Sequence, residues 1–122
     1  MNRSAFESWL KALGKAWIDR DPKAAAAICA ESVLYYETPF DPPLRSRNEV
    51  EKIWQEVPAS QKDIEFSYEI LSVDEVLGIA RWNASFTRVP SEKRDTLDGI
   101  FTVKLDNLGL CKEFHQWWVV KP

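Results

Sequence analysis

The chain has 122 residues, 45% hydrophobic and 29% charged, with a formal net charge of −3. That length suits one domain, residues 1–122, with a single modest core. Acids and bases are interspersed, so no basic stripe offers a footprint for nucleic acid, and no apolar run is long enough to span a bilayer.

From the N-terminus, Ser4-Ala5-Phe6-Glu7 fits a capping box. Phe6, Trp9, Leu10, Leu13, Ala16 and Trp17 follow at helical spacing and predict a first helix with a strongly apolar face. Gly14 weakens that helix without ending it. Asp21-Pro22 predicts an N-cap with proline at the first helical position, opening a short helix over Lys23–Cys29. Val33–Thr38 is rich in β-formers, and Pro39 stops it.

Residues 40 to 45 are irregular, because Pro42 and Pro43 remove two donors and hold the chain extended. Ser46-Arg47-Asn48-Glu49 is a second capping box, and Val50, Ile53, Trp54 and Val57 are the stripe of a third helix that Pro58 ends. Ile64, Phe66, Tyr68 and Ile70 then alternate with polar residues, as a half-buried strand does. Three further strands are predicted over Leu77–Arg88, Asp95–Leu105 and Cys111–Val120, with turn chemistry at Val89–Arg94 and Asp106–Gly109. Helices with one strand inserted, followed by an antiparallel meander, make an α+β fold with helices on one face of a curved sheet.

Six tryptophans, six phenylalanines and three tyrosines supply large rigid apolar surface for a core or a cavity wall. Trp9, Trp17 and Trp54 lie on helical apolar faces and are expected in the core. Cys29 and Cys111 have no CxxC spacing, so neither a disulfide framework nor a zinc site is indicated, and both are expected as reduced thiols. The N-terminus lacks the basic-then-apolar pattern of a secretion signal, so a cytoplasmic location is expected.

The strings Trp17-Ile18-Asp19-Arg20-Asp21-Pro22, Val33–Phe40, Arg45–Trp54, Leu97-Asp98-Gly99-Ile100-Phe101 and Glu113-Phe114-His115-Gln116-Trp117-Trp118, in this order, resemble the nuclear transport factor 2-like superfamily and its SnoaL-like subgroup. The resemblance implies a cone: a bent, mostly antiparallel sheet around three helices, leaving an apolar cavity with a few polar groups. It implies that residues 40 to 45 help shape the cavity rim, with Phe40 near the ligand.

Each chemistry of the superfamily asks for particular residues. In the ketosteroid isomerase pattern Thr38 stands where a carboxylate base is needed, Leu13 falls near the tyrosine, and only Asp98 matches. In the limonene epoxide hydrolase pattern Arg81-Trp82-Asn83 has asparagine in place of the acid, and Val119 falls near the last aspartate. Asparagine can orient water but cannot take its proton. The SnoaL-type aldol cyclases need only a cavity that folds the substrate and one proton carrier. Asp98 is the candidate acid/base and His115 its partner.

Tyr36, Arg81, Asn83, Trp117 and Phe40 are the candidate ligand-binding residues. Strand alternation alone faces Asp98, Arg81 and Asn83 away from the core, unless a bulge at Gly99 or cover on both faces of the sheet intervenes. The favoured reading of Arg81 is an ordinary surface ion pair with Glu69 across strands. No metal and no cofactor are called for. A small-molecule ligand and a homodimer through an apolar sheet face are the expected partners. The alternative is a non-catalytic dimeric binding or assembly module of the same fold, which the gaps at Thr38, Asn83 and Val119 favour.

Overall fold

The computed structural model describes residues 1–122. The elements are α1 (Arg3–Ile18), α2 (Pro22–Ala27), β1 (Cys29–Tyr36), α3 (Arg47–Trp54), a short α4 (Glu56–Ser60), β2 (Gln61–Val73), β3 (Gly78–Arg88), β4 (Arg94–Leu105) and β5 (Cys111–Val120). The strands form one sheet in the order β1-β5-β4-β3-β2, with β1 parallel to β5 and the rest antiparallel. The α+β architecture and the three main helices are as expected.

Local differences have local causes. Asn2, not Ser4, caps α1, accepting from the Ala5 N–H at 2.8 Å. Asp21 caps α2 as predicted, through the Ala24 N–H. Cys29 does not end that helix but opens β1, because parallel pairing to β5 draws it opposite Cys111. Both cysteines are buried and free. Ser46 caps α3, while Glu49 accepts from the Arg45 N–H rather than from Ser46. Pro58 lies in the first turn of α4, where its missing N–H costs no helical bond.

The helices bury their apolar face against one side of the sheet. Trp17 sits centrally, with ring centroids 5.6 Å from Phe66 and Trp82 and 5.7 Å from Trp54. Gly14 belongs to this packing: a Cβ there would lie 2.7 Å from the Phe66 ring. Alternation is strict in β3 and β4, so Ala80, Trp82, Ala84, Phe86, Leu97, Phe101 and Val103 are buried and the residues between them face outward. No bulge occurs at Gly99; the register shift in β4 lies between Lys104 and Leu105. The rim loop folds back on β1 through a two-hydrogen-bond bridge between Tyr35 and Leu44, both at 2.9 Å. No helix is long and apolar enough to cross a membrane.

Candidate functional site

A pocket of about 550 Å³ opens between the inner face of the sheet, α1, the α3–α4 segment and the loop after β1. Eight aromatic residues stand in its walls. Trp82 stacks on Phe101 (5.0 Å, 12°) and Tyr35 on Phe114 (4.3 Å, 13°), while Trp17, Trp54, Phe86 and Trp118 complete the lining. Gly99 makes the Trp82 stack feasible, because a Cβ there would lie 2.7 Å from the indole.

The polar groups in these walls are few and mostly committed. Trp17 Nε1 donates to Gln61 Oε1 at 2.8 Å, and Trp54 Nε1 donates to the Tyr35 hydroxyl at 3.2 Å. That second bond uses the phenol as acceptor and leaves its proton free for another partner. Burial holds the Tyr35 phenol protonated, well above its ordinary pKa. Arg88 is tied to Asp95 at 2.8 Å and lies over the Phe86 ring. Trp82 is 2% exposed, and its Nε1 has no hydrogen-bond partner. A buried indole N–H normally finds one.

Glu37 is the exceptional side chain. It follows β1 directly and lines the pocket, and its Oε2 is buried with no partner. Gln116 Nε2 donates to its backbone carbonyl at 3.0 Å and so fixes the chain there. Burial raises the Glu37 pKa above its ordinary value, and the nearby Glu56 and Asp41 carboxylates raise it further. Thr38 Oγ1 bonds Asp41 Oδ2 at 3.1 Å and accepts from the Phe40 and Asp41 N–H groups, which sets the loop's conformation. Asp41, Pro42 and Leu44 face the pocket, whereas Phe40 is 93% exposed and does not line it.

The remaining sequence candidates lie elsewhere. Asp98, Arg81 and Asn83 face the outer side of the sheet, as alternation alone predicts. Arg81 clamps Asp98 through Nη2 (2.7 Å) and Nε (3.2 Å), so its partner is Asp98 rather than Glu69. The hydrogen bond and charge of Arg81 lower the Asp98 pKa, opposite to the rise that cavity burial would produce. His115 is also outward, 3.0 Å from Glu113 Oε2 and stacked between Tyr36 (4.2 Å, 8°) and Trp117 (6.0 Å, 12°).

Asp98 is registered with Val119 and His115 with Thr102, so the expected acid/base pair is not brought together. Tyr36 faces the outer side because β1 runs with the opposite parity: Val33 and Tyr35 are its buried residues. Both parities of Val33-Leu34-Tyr35-Tyr36 are apolar, so periodicity could not choose between them. That ambiguity is also why Glu37, which shares the inner parity, goes unnoticed in the sequence. No group of three His, Cys, Asp or Glu side chains is arranged to hold a metal ion.

Comparison with known proteins agrees with this architecture. Residues 10–114 match the family model of the SnoaL-like domain. No curated protein matches the chain. Among solved structures, a conserved protein from Planctomyces limnophilus superposes with a TM-score of 0.77 at 13% identity, over 96% of this chain and 95% of that one. SalBIII, described as an epoxide hydrolase/cyclase-like enzyme in pyran ring formation in the polyether salinomycin, superposes with a TM-score of 0.79 at 9% identity, over 93% and 89%. At these identities the likeness is one of fold.

Proposed function

This chain belongs to the SnoaL-like domain family, and on that footing we propose that its inner pocket binds a small apolar or aromatic ligand and acts on it by acid–base chemistry of the cyclase, isomerase or hydrolase type, with no cofactor. Glu37 carries this reading. A partly buried carboxyl with a raised pKa and a free oxygen, set in an aromatic pocket, is equipped to give or take a proton. Tyr35 and Trp82 offer hydrogen-bond donors to a ligand oxygen. The pocket volume lies within the range of small-molecule sites. Two buried free thiols suit a reducing compartment, so we place the protein in the cytoplasm.

A thermal-shift screen of aromatic, terpenoid and polyketide-like compounds tests the reading. A ligand at a hundredfold its dissociation constant should add about 2.7 kcal/mol of stability. For 122 residues that is about 10 °C in Tm. Val57→Trp, which fills the pocket from α4, should abolish the shift, and Glu37→Gln should abolish turnover of any compound that is converted. A broad library without a hit, or a shift that survives Val57→Trp, would refute the pocket as the site.

A second reading, a non-catalytic dimeric binding or assembly module, is favoured by the outer face. Tyr36, His115 and Trp117 form an open stack there, with Trp117 44% and Val119 68% exposed. In this reading the Arg81–Asp98 pair and Asn83 flank a surface for a second copy of the chain. Light scattering at micromolar concentration decides it: a monomer throughout would remove the dimer.

A further inference from the structure

The rim of the pocket has a one-sided charge. Glu37, Asp41 and Glu56 all line it, and none of the three makes an ion pair. Arg88 is the only basic residue in the lining, and Asp95 already neutralises it. Elsewhere unpaired acids are scattered among pairs such as Lys15–Asp19, Lys62–Glu92 and Arg81–Asp98, whereas these three share one pocket. Behind the acids stand the faces and edges of Trp17, Tyr35, Trp54, Trp82 and Trp118. Aromatic faces carry negative partial charge and attract cations.

We infer that the ligand of this pocket carries a protonated or quaternary amine on an apolar or aromatic body, with the nitrogen held at Glu37, Asp41 and Glu56 and the body against the aromatic walls. The inference rests on the pocket being a ligand site, as proposed above. Three observations add to the acid count. The buried, unpartnered Trp82 N–H shows that the lining is polar at a point where no protein group answers it, so a ligand with an acceptor atom on its body would complete it. The Glu37 Oε2, equally unpartnered, is an acceptor without a donor. Burial keeps the Glu37 carboxyl above its ordinary pKa, and the charges of Glu56 and Asp41 raise it further, the latter as expected of uncompensated negative potential. A cation at the rim would relieve that repulsion, a neutral ligand would leave it in place, and an anion would add to it. Low dielectric in the walled pocket makes the discrimination larger than at an open surface.

The test uses three probes with one aromatic body and three charges: tryptamine (cation), tryptophol (neutral) and indoleacetate (anion). Each competes against the neutral dye N-phenylnaphthylamine, whose own binding is checked against the Val57→Trp variant. The expected order is tryptamine, tryptophol, indoleacetate, with tryptamine favoured over tryptophol at least about tenfold at low salt. Glu56→Gln, a surface change with little folding risk, should shrink tryptamine's advantage while leaving tryptophol where it was, and Glu37→Gln should shrink that advantage as well. If the dye binds in the pocket and the three probes displace it alike, or none does, the amine inference fails and the pocket reading stands. If the dye does not bind, or binds Val57→Trp equally, and no probe binds by calorimetry, both fail.

Discussion

Replacing Gly99 by alanine should be unusually costly for so small a change. The backbone at Gly99 is regular β-strand, opposite Trp82 on one side and Trp118 on the other. In an open strand the substitution would stabilise by roughly 0.4–1 kcal/mol, because alanine has less unfolded-state freedom to lose. Here the new methyl would lie 2.7 Å from Cε2 and Cζ2 of Trp82 and closer still to the carbonyl oxygen of Trp117. Carbon atoms in contact settle near 3.5–4.0 Å, so the indole must retreat by about 1 Å. It cannot retreat freely, since Phe101 stacks on it at 5.0 Å and Trp17 abuts it at 5.6 Å. The carbonyl is backbone and yields only if β5 moves.

Overpacking of this kind costs about 1–3 kcal/mol, and the backbone clash argues for the upper part of that range. With an unfolding entropy near 2.1 cal/mol/K per residue, 122 residues give roughly 0.26 kcal/mol/K, so Tm should fall by about 4–12 °C. Scanning calorimetry of wild type, Gly99→Ala and Gly99→Ala/Trp82→Leu reads this out. The double variant should show a coupling of the two sites but incomplete relief, because Trp117's carbonyl remains. A Gly99→Ala protein as stable as wild type would refute the reasoning.

Glu37→Gln should alter the pH dependence of stability in a defined direction. The folded-state pKa is raised above its ordinary value of 4.5, so the native state prefers the protonated carboxyl. That contribution is complete below the ordinary value and is lost as pH rises through the raised one. The Tm of Glu37→Gln minus that of wild type should therefore grow from acid to neutral pH; a flat difference would contradict the burial of the carboxyl. Asp98→Asn should leave any ligand-induced Tm shift intact, since Asp98 and its Arg81 clamp lie on the far side of the sheet. Loss of the shift in that variant would return Asp98 to the site. Burial pushes the Cys29 thiol up to about 12, so at pH 8 only about one in ten thousand would be thiolate. Cys111 is raised as well. Iodoacetamide should label neither in the native protein and both in denaturant; rapid native labelling of either would overturn the buried assignment.

The architecture was legible because its signals were periodic and redundant. β3 and β4 alternate cleanly, and the Asp21 and Ser46 caps were read at their structural positions. The site was less legible for two reasons. The residues of β1 are apolar on both faces, so nothing local selected Tyr35 and Glu37 over Tyr36. Motif matching then pointed to Asp98 and His115 by position, whereas their environment was decided by strand parity and by Arg81 and Glu113. The value of Glu37 comes first from its burial and then from the charges of Glu56 and Asp41, and the burial and the approach of Glu56 exist only once the chain has folded. The rim loop's part in the pocket was implied by the family resemblance, but not that Phe40 would point to solvent while Asp41 faces inward.

β1 is an edge strand, and an uncovered edge is a template for joining another chain's strand. The Tyr35–Leu44 bridge spends one donor and one acceptor of that edge within the molecule. Pro42 and Pro43, lacking N–H groups, present little for an incoming strand to pair with just beyond it. The loop that frames the pocket therefore also covers part of this edge. Engineering it for a wider mouth, by trimming residues 40 to 44, would trade access for an exposed edge.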